Sequence, residues 1–195
     1  MENPIHIERI TKETRITLSL HPGNPDRISL NTPLPFFTHL LHAASFHGGF
    51  GLELEAQGDI EVDPHHLVED TGIVLGTAFR EHLQRVEAVR RYGYAIIPMD
   101  DALCQAVVDV CERPYLVYRV TFPQAQAGNF PLFLLKEFFL GFVNNARINL
   151  HLEAFYGENG HHIAEALFKA WGKALEEAYT PRGTSRSRMS TKGTI

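Results

Sequence analysis

The chain repeats itself. Leu52-Glu53-Leu54-Glu55-Ala56 returns as Leu150-His151-Leu152-Glu153-Ala154, and His65-His66-Leu67-Val68-Glu69 returns as His161-His162-Ile163-Ala164-Glu165. The first pair is offset by 98 residues and the second by 96, so one half has lost two loop residues between these segments. At the 98-residue offset His39 corresponds to Glu137. A strand pattern followed by a helix pattern, repeated in order, restricts the chain to two fused copies of one supersecondary unit.

The periodicities between these anchors define the unit. Residues 14–20 alternate apolar and polar, as a half-buried strand does. The cluster His21-Pro22-Gly23-Asn24-Pro25-Asp26 predicts a turn, with a second strand near 27–31 completing a hairpin. Pro33 and Pro35 introduce a helix over 36–47 that Gly48-Gly49 closes. A strand at 50–56, a polar loop and a helix from about 65 to 86 complete the first half. The second half predicts strands at 93–98, 102–111 and 115–122, a helix at 132–146, a strand at 147–155 and a helix at 161–178. The expectation is a single α+β domain over 1–195: strands–helix–strand–helix units over about 1–90 and 91–180, then a tail at 181–195. The helices should cover one face of a mainly antiparallel sheet.

At 195 residues, 44% hydrophobic, the chain sustains one sizeable core but not two independent domains. A net charge of −5 gives no general attraction to nucleic acid or to a membrane. Two cysteines, Cys104 and Cys111, sit in apolar surroundings and read as buried thiols, not as a disulfide framework. No basic-plus-apolar leader opens the sequence, and no apolar run approaches bilayer-spanning length. These features predict a cytoplasmic protein.

Histidine is the unusual residue, with 11 copies. Residues three or four apart share a helix face, so each His-His-x-x-Glu aims imidazole and carboxylate at a common region. Adjacent histidines diverge by about 100° around a helix, which argues against one metal taking both from one copy. Two metals, each drawing on more than one segment, fit better, with His39 and Glu137 as matched further donors. One such motif alone reads as surface histidines at a helix start; two copies on duplicated helices, with matched upstream donors, favour metal. Nitrogen and oxygen donors without thiolate suit Mn, Fe, Zn or Co.

Six ordered segments carry a resemblance to a known family. They are Thr11-Lys12-Glu13-Thr14, DPHHLVEDTGIVLG at 63–76, RYGYAIIPMDDAL at 91–103, Arg113-Pro114-Tyr115-Leu116, YGENGHHIAEALFKA at 156–170 and Ser190-Thr191-Lys192-Gly193. In these the chain resembles imidazoleglycerol-phosphate dehydratase, a hydro-lyase of histidine biosynthesis. The resemblance implies a duplicated fold like domain 2 of ribosomal protein S5. It also implies a homo-oligomer of twenty-four subunits with active sites between subunits, and two Mn²⁺ per site. It places His39, His65, His66, Glu69, Glu137, His161, His162 and Glu165 as metal ligands, and Glu13 as the acid–base carboxylate. Glu69 and Glu165 then serve chemistry as well as coordination. His47, Arg91, Arg113, Ser190 and Lys192 match substrate- and phosphate-contacting positions. Arginine forks and a lysine point charge suit a small phosphate substrate.

The sequence departs from the family around the first helix, where Thr38, His42 and Ala43 replace two acids and an amide. Asp100 and His151 match or adjoin family features without an assigned role, and His6, His21 and His82 read as surface residues. A metal-storing oligomer and a di-metal phosphate hydrolase are the rival classes. Retention of Glu13, Arg91, Arg113, Ser190 and Lys192 argues against storage, which needs no grip on phosphate.

Overall fold

The protein is described by a computed structural model covering residues 3–183 and 189–190. Its first half runs β1 (Ile5–Ile10), β2 (Thr14–His21), β3 (Ile28–Asn31), α1 (Pro35–His47), β4 (Gly51–Gly58) and α2 (His65–Arg85). The second runs β5 (Tyr92–Met99), β6 (Ala102–Val110), β7 (Tyr115–Arg119), β8 (Gln126–Ala127), β9 (Phe130–Pro131), α3 (Leu134–Ala146), β10 (Ile148–Tyr156) and α4 (Gly160–Tyr179). The predicted duplication is present strand for strand. Each half has its own four-stranded sheet, ordered β1-β2-β4-β3 and β5-β6-β10-β7, with only the small β8–β9 ribbon added.

One expectation is corrected. The hairpin expected from β2 and β3 does not form: β2 pairs with β1 and β4, and β3 runs parallel to β4. The inward Leu52, Leu54 and Ala56 of β4 lie opposite Leu20, Leu18 and Ile16 of β2. Burying both sets together draws β4 to the centre and leaves the short, half-polar β3 at the edge. The polar strand pattern that follows Pro4 forms β1, in which Ile5, Ile7 and their polar neighbours alternate.

The helices lie between the sheets, α1 and α2 on the first and α3 and α4 on the second, and each packs across the divide. α1 crosses α4, and α2 crosses α3. The crossings are equivalent. A Cβ on Gly172 of α4 would stand 2.3 Å from the carbonyl oxygen of Ala44 in α1, and one on Gly76 of α2 would stand 2.3 Å from that of Phe142 in α3. Gly76 and Gly172 are counterparts at the 96-residue offset, so the repeat has kept the residue that lets each helix pair approach backbone to backbone. Around these crossings Phe37, Phe138, Phe139, Phe142, Phe168 and Trp171 form the centre of one continuous core. Among the described residues no helix is long and apolar enough to cross a membrane.

His82 is not the surface residue expected. It is 5% exposed, on the inner face of α2, and stacks on Tyr179 with ring centroids 6.0 Å apart. Its neighbours Ala78, Phe79 and Leu83 form an apolar stripe into which it falls at helical spacing. His21 is half-buried beside Glu53, at 3.3 Å, and His6 is exposed.

Candidate functional site

The cross-packing of the halves assembles the candidate ligands. α1 brings His39 to the first turn and a half of α4, where His161 and Glu165 share a face. His39 Nε2 and His161 Nε2 each lie 3.2 Å from Glu165 Oε2, and one donor atom from each residue falls within 4.8 Å of the others. The start of α4 is fixed by Asn159, whose side chain accepts from the His161 backbone N–H. Phe36 closes one side, its ring 4.9 Å from that of His161.

Burial favours the neutral form of Glu165, but Lys169, at 2.7 Å, and His39 outweigh it and hold the carboxyl at about 2. The group is a stable anion, as a cation ligand must be. The charge of Lys169 also reaches His47: burial first, then the charges of Lys169 and Lys173, lower the His47 pKa. Sequence reasoning missed Lys169, though its i+4 spacing from Glu165 was the available signal.

The first half presents the matching arrangement at the start of α2. His65 Nε2 lies 3.3 Å from Glu69 Oε2, four residues on. Glu137, the counterpart of His39, is half-buried on α3 and forms no hydrogen bond or ion pair with this pair among the described residues. The difference has a physical cause. The His39 imidazole hydrogen-bonds a carboxylate, whereas two carboxylates, those of Glu137 and Glu69, repel each other.

The second histidine of each motif turns away from its triad, as the helical geometry predicts. His66 Nδ1 lies 3.1 Å from Asp59 Oδ1 and 3.9 Å from Glu13 Oε2. His162 Nδ1 lies 2.5 Å from Asp101 Oδ1, while its Nε2 is 3.5 Å from Asp100 Oδ2. These carboxylates raise both histidine pKa values, through the hydrogen bonds to Asp59 and Asp101 foremost. Glu13 sits in the turn between β1 and β2, exposed, not on a strand. Neither Asp59 nor Asp101 was singled out from the sequence, since partners 7 and 61 residues distant leave no periodic signal.

The phosphate-type residues form a separate group. Arg91 donates through Nε and Nη2 to the two oxygens of Asp109, at 2.6 and 3.2 Å, and through Nη1 to the Met189 carbonyl, at 2.7 Å. The tail residue Ser190 therefore adjoins Arg91, and Arg113 approaches the same Asp109 at 4.0 Å. The hydrogen bond to Asp109 raises the Arg91 pKa further, against partial burial. Lys192 lies outside the described residues. An apolar cavity of about 260 Å³ between Pro22, Phe79, His82 and Tyr179 contains none of the candidate site residues.

The two groups are far apart within one subunit. The Arg91 backbone N–H bonds the carbonyl of Ala178 at the end of α4, whereas His161 stands 17 residues up the same helix. At 1.5 Å per residue the separation is about 25 Å.

A duplicated α+β chain with paired sets of histidine and carboxylate at its helix starts has the donor set of a metal-binding protein. Comparison makes this specific. The imidazoleglycerol-phosphate dehydratase family description matches residues 32–175. The chain is 49% identical over 189 residues to the imidazoleglycerol-phosphate dehydratase of Citrifermentans bemidjiense, covering 97% of each, and 45% identical over all 195 residues to that of Geobacter sulfurreducens. It is similar to the crystal structure of the Staphylococcus aureus dehydratase (TM-score 0.84, 36% identity, 92% of this chain and all of that one). It is likewise similar to IGPD from Pyrococcus furiosus (TM-score 0.85, 38% identity, 97% of this chain and all of that one). The chain belongs to the imidazoleglycerol-phosphate dehydratase family, and is an enzyme of the hydro-lyase class.

Proposed function

We propose that the protein converts D-erythro-imidazoleglycerol phosphate to imidazole acetol phosphate and water, at a site holding two Mn²⁺ ions, as a step of histidine biosynthesis in the cytoplasm. The observation that carries the metal reading is the donor set: His39, His161 and Glu165 converge within 4.8 Å, and Glu137, His65 and Glu69 are their repeat counterparts. Imidazole and carboxylate without thiolate fit Mn²⁺. His66 and His162 complete the set of eight. Bound there, two ions would supply Lewis acidity and a template for the substrate's imidazole, favouring its electron-rich form.

The chain's own residues account for the rest. Glu13, exposed and 3.9 Å from His66, is placed to take the proton from the second side-chain carbon, one removed from the imidazole ring. The hydroxyl on the carbon beside the ring leaves as water after protonation, and the resulting enol, which keeps the second carbon's hydroxyl, becomes the ketone. Arg91, Arg113 and Ser190, with Lys192 outside the described residues, hold the phosphate. His47 contributes to the substrate pocket, and Glu69 and Glu165 orient their histidines during turnover.

The separation of about 25 Å between Arg91 and His161 supports a site shared between subunits, because no small substrate spans it. Self-association is further supported by the second sheet, where Tyr92, Tyr94 and Ile96 are exposed together on β5 and Tyr115 is exposed on β7 at the opposite edge. We take the assembly to be the 24-subunit particle that the resemblance implies.

Glu13→Gln tests this reading. Turnover should fall at least a hundredfold, the usual contribution of a positioned acid–base group being roughly 10²–10⁴, with metal content unchanged. Near-normal turnover would remove Glu13 from the chemistry; lost metal would make it a ligand.

A further inference from the structure

The register of the sheets reveals a correspondence that sequence offsets hide. Leu18 of β2 pairs with Leu54 of β4, and Ala106 of β6 pairs with Leu152 of β10. Leu54 and Leu152 are repeat counterparts, so Leu18 and Ala106 are too. Five residues earlier in each strand's approach stand Glu13 and Asp101. Both occupy the turn that opens the second strand of their half, and both face the second histidine of their half's His-His-x-x-Glu. Asp101 makes that contact at 2.5 Å, whereas Glu13 stands off at 3.9 Å. Asp59, from the loop before α2, has taken the place Glu13 would otherwise fill, with its two oxygens 3.1 and 3.3 Å from His66 Nδ1. The equivalent of Asp59 in the second half is Phe155 or Gly157, depending on the offset, and neither can accept a side-chain hydrogen bond.

We propose that Asp101 and Asp59 are positioning residues that keep the proton of His162 and His66 on Nδ1 and present each Nε2 lone pair to a metal ion. Asp59 has a second consequence: it releases Glu13 for proton transfer. The inference rests on the proposed manganese site. A carboxylate accepts only, so the imidazole nitrogen hydrogen-bonded to it is the protonated one, which fixes the tautomer and leaves the far nitrogen for a metal; Asp100 stands 3.5 Å from His162 Nε2 without a hydrogen bond, on the side the ion would occupy. Asp101 is held in this role by its own anchors, because Oδ2 accepts from the backbone N–H groups of Glu158 and Asn159, at 2.5 and 3.0 Å. Asp59 has no side-chain anchor of this kind among the described residues.

The anchoring makes a single-atom change informative. In Asp101→Asn the amide oxygen stays with the two backbone donors, so the NH₂ group faces His162 Nδ1. It donates where Asp101 accepted. The histidine must then carry its proton on Nε2 and has no lone pair for the metal. Turning the amide over would restore His162 at the expense of two backbone hydrogen bonds. In the first half, removing Asp59 leaves Glu13 within reach of His66, so the tautomer survives but the acid–base group is recruited.

The test is a Mn²⁺ titration of chelator-stripped full-length protein, reading free Mn²⁺ by electron paramagnetic resonance. Thermal unfolding of each metal-free variant serves as the folding control. Asp101→Asn should weaken one of the two sites roughly 10- to 100-fold, the usual effect of removing a metal-bound histidine's partner, with an unchanged unfolding midpoint. Asp59→Ala should keep both sites and lose turnover, and Asp59→Ala/Glu13→Gln should weaken the other site. Asp101→Asn that binds two ions as tightly as the unsubstituted protein overturns the proposal, as does a double variant with both sites intact. If Asp101→Asn also unfolds early, Asp101→Glu decides: restored binding supports the role, and binding as weak as in Asp101→Asn contradicts it. Failure of the unsubstituted protein to bind Mn²⁺ would instead overturn the metal reading beneath it.

Discussion

Gly172→Ala is the substitution whose effect the geometry fixes most firmly. The new Cβ would stand 2.3 Å from the Ala44 carbonyl oxygen and 3.0 Å from its carbon, both backbone atoms of α1. Ordinary contact lies near 3.5 Å, so α1 and α4 must separate by roughly 1 Å at their crossing. Helix propensity acts the other way and favours Ala over Gly by about 1 kcal/mol. Overpacking of this type typically costs about 1–3 kcal/mol and more where backbone opposes it, so the net effect should be a loss of about 2 kcal/mol. For a chain of this length that is a fall of about 4–8 °C in Tm. Activity should suffer more than stability. Ala44 lies five residues beyond His39 on α1, and Gly172 seven beyond Glu165 on α4. A separation of about 1 Å at the crossing carries into the 3.2 Å contact between His39 and Glu165, and metal sites tolerate only about ±0.2 Å. The assay is thermal unfolding at fixed protein concentration, since assembly shifts Tm by mass action, with Mn²⁺ binding on the same samples. Gly183→Ala, where a Cβ meets nothing within 4 Å, is the control and should be neutral. A Gly172→Ala protein that melts higher and binds Mn²⁺ normally would refute the claim that this crossing sets the site.

Two further outcomes follow from named contacts. Burial pushes the Cys104 thiol from 9.0 to about 12. A raised thiol pKa favours folding below the unfolded value and loses that contribution as pH rises through the folded one. Native protein should therefore resist alkylation of Cys104 at pH 8, and lose stability between about pH 9 and 12 relative to Cys104→Ala; ready labelling at pH 8 would contradict the burial. Arg91→Lys keeps the charge but loses the fork that spans Asp109 and the Met189 carbonyl. A hydrogen bond to a charged group contributes about 1.5–3 kcal/mol, so KM should rise roughly tenfold or more, with kcat changed less; an unchanged KM would remove Arg91 from phosphate binding.

Much of this architecture was legible because the repeat carries it. Matching Leu52 to Leu150 and His65 to His161 foretold the duplicated halves, and the divergence of adjacent histidines foretold that His66 and His162 would leave their triads. What the sequence concealed depends on pairing across distance. Nothing local says that β4 comes between β2 and β3, since that order follows from which apolar faces are buried together. His82 looks polar in isolation and is buried because its helix face is. Asp101 reveals itself only when β6 and β10 are in register, and Asp59 only when its loop folds over α2. Lys169, at i+4 from Glu165, was readable and passed over.

The most direct test of the central claim is dehydration of imidazoleglycerol phosphate by the purified protein, following imidazole acetol phosphate after chelation and after return of Mn²⁺, Zn²⁺ or Mg²⁺. The account predicts that chelation abolishes turnover and that Mn²⁺ restores it. Turnover that persists in fully chelated protein, or that no metal restores in folded and assembled protein, would contradict it.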